Sequence, residues 1–222
     1  MSGPVEGAVV VTGASGHVGT AVVRRLESRG RVVRAPGRTD DLDGAVRDAG
    51  ALIHVAGTLA PVPPVTHEQA NLGSVLQTLR ALESSSVQRI VFLSYATADA
   101  QSPNAYLRAK GRAEQLLHES GRPVVVLRST FVFGPPGDPG PSFAPFLAHG
   151  ARPVSVLGRG DQRIAPVFVE DVAEVLVRAA LDRGAPTGTF GLGGPEVLTF
   201  DEMIALVNGG HARERHLPPS VA

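Results

Sequence analysis

Apolar runs alternate along this chain with stretches whose apolar residues recur every three or four positions. The runs are Val9-Val10-Val11, Arg31 to Ala35, Ala51 to Gly57, Arg89 to Ser94 and Pro123 to Arg128. Between them lie helical patterns. Val18, Val22 and Leu26 are spaced by four, with Arg24, Arg25, Glu27 and Ser28 among them. Leu42, Ala45, Val46 and Ala49 pattern residues Asp41 to Ala49, and Leu72, Val75, Leu76, Leu79 and Leu82 give Glu68 to Glu83 an apolar face. A further helix is expected from Tyr106 to about Glu119. Short unbroken apolar runs are the mark of strands buried on both faces, and their alternation with amphipathic helices predicts an α/β fold. The expected architecture is a doubly wound parallel sheet with helices on both faces. Only a short helix separates the second run from the third.

The later chain is less regular. Residues Pro135 to Pro145 are rich in Gly and Pro and read as a loop. A short helix is expected over Phe143 to His149, strands from Arg152 to Leu157 and from Gly188 to Leu192, and a helix from Thr199 to about Val207. That helix opens on a capping box, Thr199 with Glu202 three residues on. The polar end, His211 to Ala222, is expected to fray. The chain is expected to form one domain over residues 1–222, with a minor substrate lobe built mainly from 135–165 and 185–222.

Composition narrows the function. The 222 residues carry 21 basic and 21 acidic side chains, a formal net charge of zero, and no cysteine. Without a basic stripe, nucleic acid is not an expected partner. Without cysteine there are no disulfides, thiol nucleophiles or thiolate metal sites. No apolar run reaches membrane-spanning length. The expectation is a soluble, cytoplasmic protein with a small-molecule substrate and no metal.

The chemistry starts at Thr12-Gly13-Ala14-Ser15-Gly16-His17-Val18-Gly19, where the first strand turns into the first helix. Glycines there allow a sharp turn and close backbone approach, and the helix start aims free N–H groups and a positive dipole end at a pyrophosphate. The candidate cofactor residues are Gly13, Ser15, Gly16, His17, Val18 and Gly19. About 20 residues on, at the end of the second strand, stands Arg38, where a cation suits the 2′-phosphate of NADP; Arg34 could assist, and Asp40 or Asp41 could reach a ribose instead. Tyr106 and Lys110 lie one helical turn apart on one face. An ammonium beside a phenol eases the phenol's ionisation, which suits proton transfer at neutral pH. His54, inside a strand, reads as a hydrogen-bonded core residue.

In this order, the glycine turn, Asn71-Leu72-Gly73-Ser74, the strand ending at Ser94, and Tyr106-Leu107-Arg108-Ala109-Lys110 with Gly111 and Glu114 resemble the short-chain dehydrogenase/reductase superfamily. The resemblance is to its extended and atypical branches: epimerase/dehydratase-like, NmrA-like and complex I accessory-subunit-like proteins. It implies a Rossmann-type fold and hydride transfer between a nicotinamide cofactor, NADP in preference to NAD, and a carbonyl or alcohol carbon. Tyr106 would be the acid/base and Lys110 its activator and ribose ligand. Ala56 and Gly57 would lie against the adenosine side of the cofactor, and the backbone of Thr130, Phe131 and Val132 would cradle the nicotinamide. Asn71 would help hold the lysine through water or backbone. Relatives place a Ser or Thr beside the substrate oxygen; here Tyr95 falls at that position, leaving Ser94 or Thr97 to substitute. The departure opens an alternative, a non-catalytic NADP(H)-binding regulatory or assembly protein. Many relatives pair as homodimers, a state also open to this chain.

Overall fold

A computed structural model describes residues 3, 5–135, 140–148, 152–210 and 213–218. The chain divides into two compact units. The first comprises residues 1–129 and 170–192, the second residues 130–169 and 193–222.

The first unit opens with β1 (Val9–Thr12) and α1 (His17–Ser28), then β2 (Val33–Arg34), α2 (Leu42–Val46), β3 (Ala51–His54), α3 (Ser74–Leu82), β4 (Arg89–Tyr95), α4 (Ala105–Glu119) and β5 (Val124–Ser129). In the second unit follow β6 (Val132–Phe133), β7 (Val154–Leu157), β8 (Arg163–Ile164) and β9 (Val167–Phe168). The chain then returns to the first unit with α5 (Val169–Leu181) and β10 (Gly188–Leu192). It closes in the second with β11 (Leu198–Thr199), α6 (Phe200–Val207) and β12 (Glu214–Leu217).

Six strands of the first unit form one parallel sheet in the order β10-β5-β4-β3-β1-β2. This is the expected Rossmann-type architecture. β2 is an edge strand. Every residue of β1 and β3 is buried, so the sheet is covered on both faces. Val10, Leu52, Ile90, Phe92, Val124 and Val126 pack with Val46 of α2, Val75 and Leu82 of α3, and Ala113 and Leu117 of α4. Their strand neighbours Val9, Val11, Ile53, Val91 and Val125 are as deeply buried on the opposite face. There α1 and α5 lie side by side, joined by ion pairs of Arg24, Arg25 and Arg29 with Glu170 and Glu174.

Two sequence expectations are refined. The helix expected over residues 68–83 opens as a π-helix, Glu68–Gly73, before continuing as α3. The widened turn coincides with the buried Asn71, whose side chain turns to bond outside the helix ladder. The short helix expected from Phe143 is a 3-10 turn over Ala144–Phe146; its expected end at His149 and half of the expected frayed tail lie outside the described residues, while Glu214–Leu217 of that tail is strand β12, paired with β7. In the second unit Phe131, Phe143, Phe146 and Phe200 build an aromatic core. The expected capping box is formed: the Glu202 N–H donates to Thr199 Oγ1 at 3.2 Å and the Thr199 N–H to Glu202 Oε2 at 2.7 Å.

Strand order reverses between β1 and β3, and ligands of open α/β sheets gather at such a switch point, outside the carboxyl ends of the strands. Here that is the joint after Thr12 and the loop after His54. Gly13 has a φ of +77°, and a Cβ on it would fall 2.6 Å from Ala56 N and 2.7 Å from Ala56 Cα. Backbone meets backbone, so neither side can yield. Gly121 has a similar φ of +69° with nothing within 4 Å of its missing Cβ. Gly121→Ala therefore carries only the left-handed backbone penalty, about 1–2 kcal/mol. Gly13→Ala adds a backbone collision and should lower urea-unfolding stability by roughly 2 kcal/mol more than Gly121→Ala. Equal losses in the two variants would contradict the close approach.

Candidate active site at the carboxyl edge of the sheet

The α1 N-terminus follows the glycine turn directly. Gly16 is the N-cap, in extended backbone, and no acidic residue occupies the first turn. Gly16 N–H donates to Gly13 O at 3.0 Å, closing the turn. Gly19 is buried against it, with a Cβ position only 2.7 Å from Ala14 Cα. The helix thus starts hard against the strand end. The amides of its first turn lack carbonyls of their own helix, and Ser15 and Gly16 are exposed beside them. His17 Nε2 is buried without a hydrogen-bond partner. A bare helix start with an orphaned ring nitrogen fits an anionic group such as a dinucleotide's pyrophosphate.

Across the switch point, the Val55 N–H donates to Thr12 O at 3.1 Å. Gly57 follows with a φ of +147°, and a Cβ there would fall 2.5 Å from Asn71 Oδ1. Asn71 is 2% exposed. It accepts from the Thr58 N–H and donates to Thr58 O and His67 O, each at 3.1 Å. Asn71 therefore clamps the loop after β3. His54 is 1% exposed, bonded through Nδ1 to the hydroxyls of Thr12 (2.9 Å) and Thr78 (3.1 Å) and through Nε2 to Ser74 (3.3 Å). Burial, reinforced by the charge of Lys110, pushes it down to about 3. It is a neutral core residue.

The turn after β2 sorts its charges. Arg34, expected to assist Arg38, is bound to Asp48 and donates to Ala45 O at 2.9 Å. Asp40 accepts from the Gly37 N–H at 2.7 Å, and Asp41 from the Gly44 N–H at 3.0 Å as the N-cap of α2. Arg38 is exposed and has no hydrogen bond or ion pair to the described residues.

The strongest arrangement joins α4 to the end of β4. Tyr106, Lys110 and Glu114 are spaced by four and form one stripe of α4. Asn104 caps the helix, accepting from the N–H groups of Tyr106 and Leu107. Each member of the stripe meets one of the last residues of β4. Glu114, 5% exposed, accepts from the Ser94 hydroxyl and is held by Arg128 of β5 at 2.6 Å. Lys110, also 5% exposed, donates to Leu93 O at 2.6 Å and lies 4.0 Å from the Phe92 ring centroid. Tyr106 meets the Tyr95 ring edge-on, centroids 5.7 Å apart, and on another side meets His67 at 5.7 Å. Burial pulls Lys110 down to about 7, against the raising effect of Glu114. Burial and the neighbouring phenol of Tyr95 raise Tyr106 above the ordinary phenol value.

Two sequence expectations change here. Ser94 is buried and spends its proton on Glu114, so it is no free donor for a substrate oxygen; Thr97 is exposed beyond the strand end. Without a cofactor, Tyr106 is pushed toward its neutral form rather than toward ionisation. The buried Glu114–Arg128 pair was missed as part of the site, although the spacing 106, 110, 114 carried the signal. In the second unit, the Thr130 hydroxyl donates to Ala165 O, Phe131 sits in the aromatic core and Val132 pairs with Val167. The Val167 N–H donates to Phe131 O at 2.9 Å, so main chain of this segment is engaged within the second unit as well.

Among curated proteins, the chain is 28% identical over 214 residues to an uncharacterized protein of Mycobacterium tuberculosis, covering 89% of this chain and 23% of that one. It is 26% identical over 228 residues to the mitochondrial NADH dehydrogenase [ubiquinone] 1 alpha subcomplex subunit 9 of Arabidopsis thaliana, covering 89% of this chain and 56% of that one. It thus spans under a quarter of the first relative's length and just over half of the second's. The solved UDP-glucuronic acid 4-epimerase from Bacillus cereus, in complex with NAD, superposes with a TM-score of 0.74 at 18% identity, covering 96% of this chain and 87% of that one. That likeness is one of fold. The sequence model of one family matches residues 9–193, most of the first unit and the whole switch-point architecture. The chain belongs to the NAD dependent epimerase/dehydratase family.

Proposed function

We propose that this protein is an NADP-dependent oxidoreductase, or an epimerase/dehydratase-like enzyme, acting on a carbonyl or alcohol group of a small molecule in the cytoplasm. The observation that carries the reading is the α4 stripe: Tyr106 and Lys110 stand together where β4 ends, on the edge that also bears the bare α1 N-terminus.

The residues fit a dinucleotide. The α1 N-terminus with Ser15, Gly16, His17, Val18 and Gly19 would hold the pyrophosphate, and Ala56 and Gly57 would back the adenosine side. When bound, the nicotinamide supplies or takes up the hydride. Tyr106 then handles the proton. Its raised pKa keeps it a proton donor at neutral pH in the reducing direction, and the Lys110 charge stabilises the phenolate left behind.

The NADP preference rests on Arg38. It is the unengaged cation of its turn, whereas Arg34 and both nearby carboxylates already have partners. A second reading, a non-catalytic NADP(H)-binding regulatory or assembly protein, is favoured by one finding: a relative is named as a subunit of NADH dehydrogenase, which suits a role within an assembly. Turnover separates the two.

Calorimetry should show NADPH binding at least about tenfold tighter than NADH, a ratio near what one charged hydrogen bond contributes. Arg38→Ala should erase that difference while NADH affinity holds. Equal or tighter binding of NADH to the wild type would remove Arg38 from the cofactor site.

NADPH oxidation against a panel of aldehydes and ketones tests the catalytic reading. Tyr106→Phe should lose roughly 10²–10⁴-fold in turnover with NADPH binding retained. The wild-type kcat/KM for reduction should fall as pH rises through about 7, because Lys110 then loses its charge. Lys110→Met should be slow and lack that step. Wild-type protein that binds NADPH but reduces nothing would favour the binding role.

A further inference from the structure

The second unit gathers three side chains with metal-ligand chemistry. Glu214 and His216 stand two apart on β12, so their side chains share one face of the strand. Asp201 lies in the first turn of α6. His216 Nε2 is 3.7 Å from Asp201 Oδ2 and 3.5 Å from Glu214 Oε2, and one ligand atom from each of the three residues lies within 4.8 Å of the others. His216 Nδ1 sits 3.2 Å from Gly158 O. A carbonyl only accepts, so Nδ1 carries the proton and Nε2 is the ring atom turned to both carboxylates. The loop before β8 holds the aspartate in place. The Asp201 N–H donates to Gly160 O at 3.1 Å, and a Cβ on Gly160, whose φ is +74°, would run into the Asp201 carboxylate. Among the described residues, neither carboxylate is ion-paired to a lysine or arginine, and Asp201 Oδ1 is buried with no hydrogen-bond partner. Burial and the charge of Asp201 push Glu214 above the ordinary carboxylate value. A cation among these three groups would relieve that crowding.

We propose that Asp201, Glu214 and His216 bind a zinc ion that fastens β12 to the start of α6. One imidazole nitrogen with two carboxylate oxygens is a donor set that zinc accepts, and three protein ligands leave its fourth position to water. The spacing agrees. Atoms at about 2.0–2.1 Å from a tetrahedral zinc stand roughly 3.4 Å apart, close to the 3.5 and 3.7 Å measured from Nε2. The Nδ1 bond to Gly158 O is the outer contact that orients a zinc-bound imidazole. Calcium takes six or more oxygens, which this set does not supply. The absence of cysteine, from which no metal was expected, excludes thiolate sites and leaves this one open. The site also gives β12 an anchor. Its sequence, Glu-Arg-His-Leu, offers little apolar surface, its middle residues are exposed, and it pairs with β7 alone. A zinc ion ties that strand to a helix through side chains.

The test is calorimetric titration of the full chain, stripped with a chelator, with zinc chloride. Wild-type protein should bind one zinc per chain. Asp201→Asn, Glu214→Gln and His216→Gln should each weaken binding by about tenfold or more. His118→Gln, which removes an exposed histidine bonded to Thr189 in the first unit, should not change it. Cobalt(II) added to wild type in place of zinc should give the intense visible bands of a tetrahedral site, a readout that depends on no variant's folding. Trypsin cleavage after Arg215, within β12, should slow by about tenfold when zinc is added to wild type, and Asp201→Asn should not respond. No stoichiometric zinc binding, as expected if Nε2 merely holds a proton, would overturn the proposal. So would zinc affinity unchanged in all three ligand variants, an equal loss in His118→Gln, only the pale bands of octahedral cobalt, or cleavage indifferent to zinc.

Discussion

A buried ammonium ties the site together. Lys110 lies between α4 and β4, spending one hydrogen bond on Leu93 O and resting against the Phe92 ring. Charge is costly to bury unless it is hydrogen-bonded, and part of that cost appears as the fall of Lys110 to about 7. The bond fixes the height of α4 along the end of β4. Glu114 then meets Ser94 and Arg128 one turn deeper, and Tyr106 meets Tyr95 one turn higher, at the sheet's edge. A helix shifted by one residue would lose all three matches.

The sheet supplies the other half of the arrangement. Because strand order reverses between β1 and β3, the two strand ends leave their loops facing the same crevice. Gly13 and Ala56 show how closely those loops are pressed: a single Cβ cannot enter between them. Asn71 holds the β3 loop from behind, and α1 begins without a first-turn acid that would oppose a ligand's negative charge. The Tyr106–Lys110–Glu114 stripe and the bare α1 start thus belong to one unit and one edge.

Much of this was legible in the sequence because it follows from period and spacing. Unbroken apolar runs gave strands covered on both faces, the four-residue spacing gave the face of α4, and Thr199 with Glu202 gave a formed capping box. What was not legible depended on which way a side chain turns at a strand end. Ser94 and Tyr95 are adjacent in sequence, and only the pleat decides which of them faces the core; the buried Glu114 then claims Ser94. Asn71 was readable as a polar residue at a helix start, but its bonds to Thr58 come from a π-helical turn that apolar periodicity does not reveal. The state of Tyr106 was inverted for a similar reason. The sequence shows the lysine four residues away, while burial and the second phenol come from the fold.

The central claim is that the edge bearing Tyr95 and Tyr106 is where a reduced nicotinamide dinucleotide binds. The chain has two tyrosines and no tryptophan, so its intrinsic fluorescence reports on that edge alone. The decisive measurement is tyrosine emission during an NADPH titration. Saturable quenching, with energy transferred to the bound nicotinamide, is the result this account predicts. Emission that stays constant while NADPH binds elsewhere, or no binding at all, would contradict it.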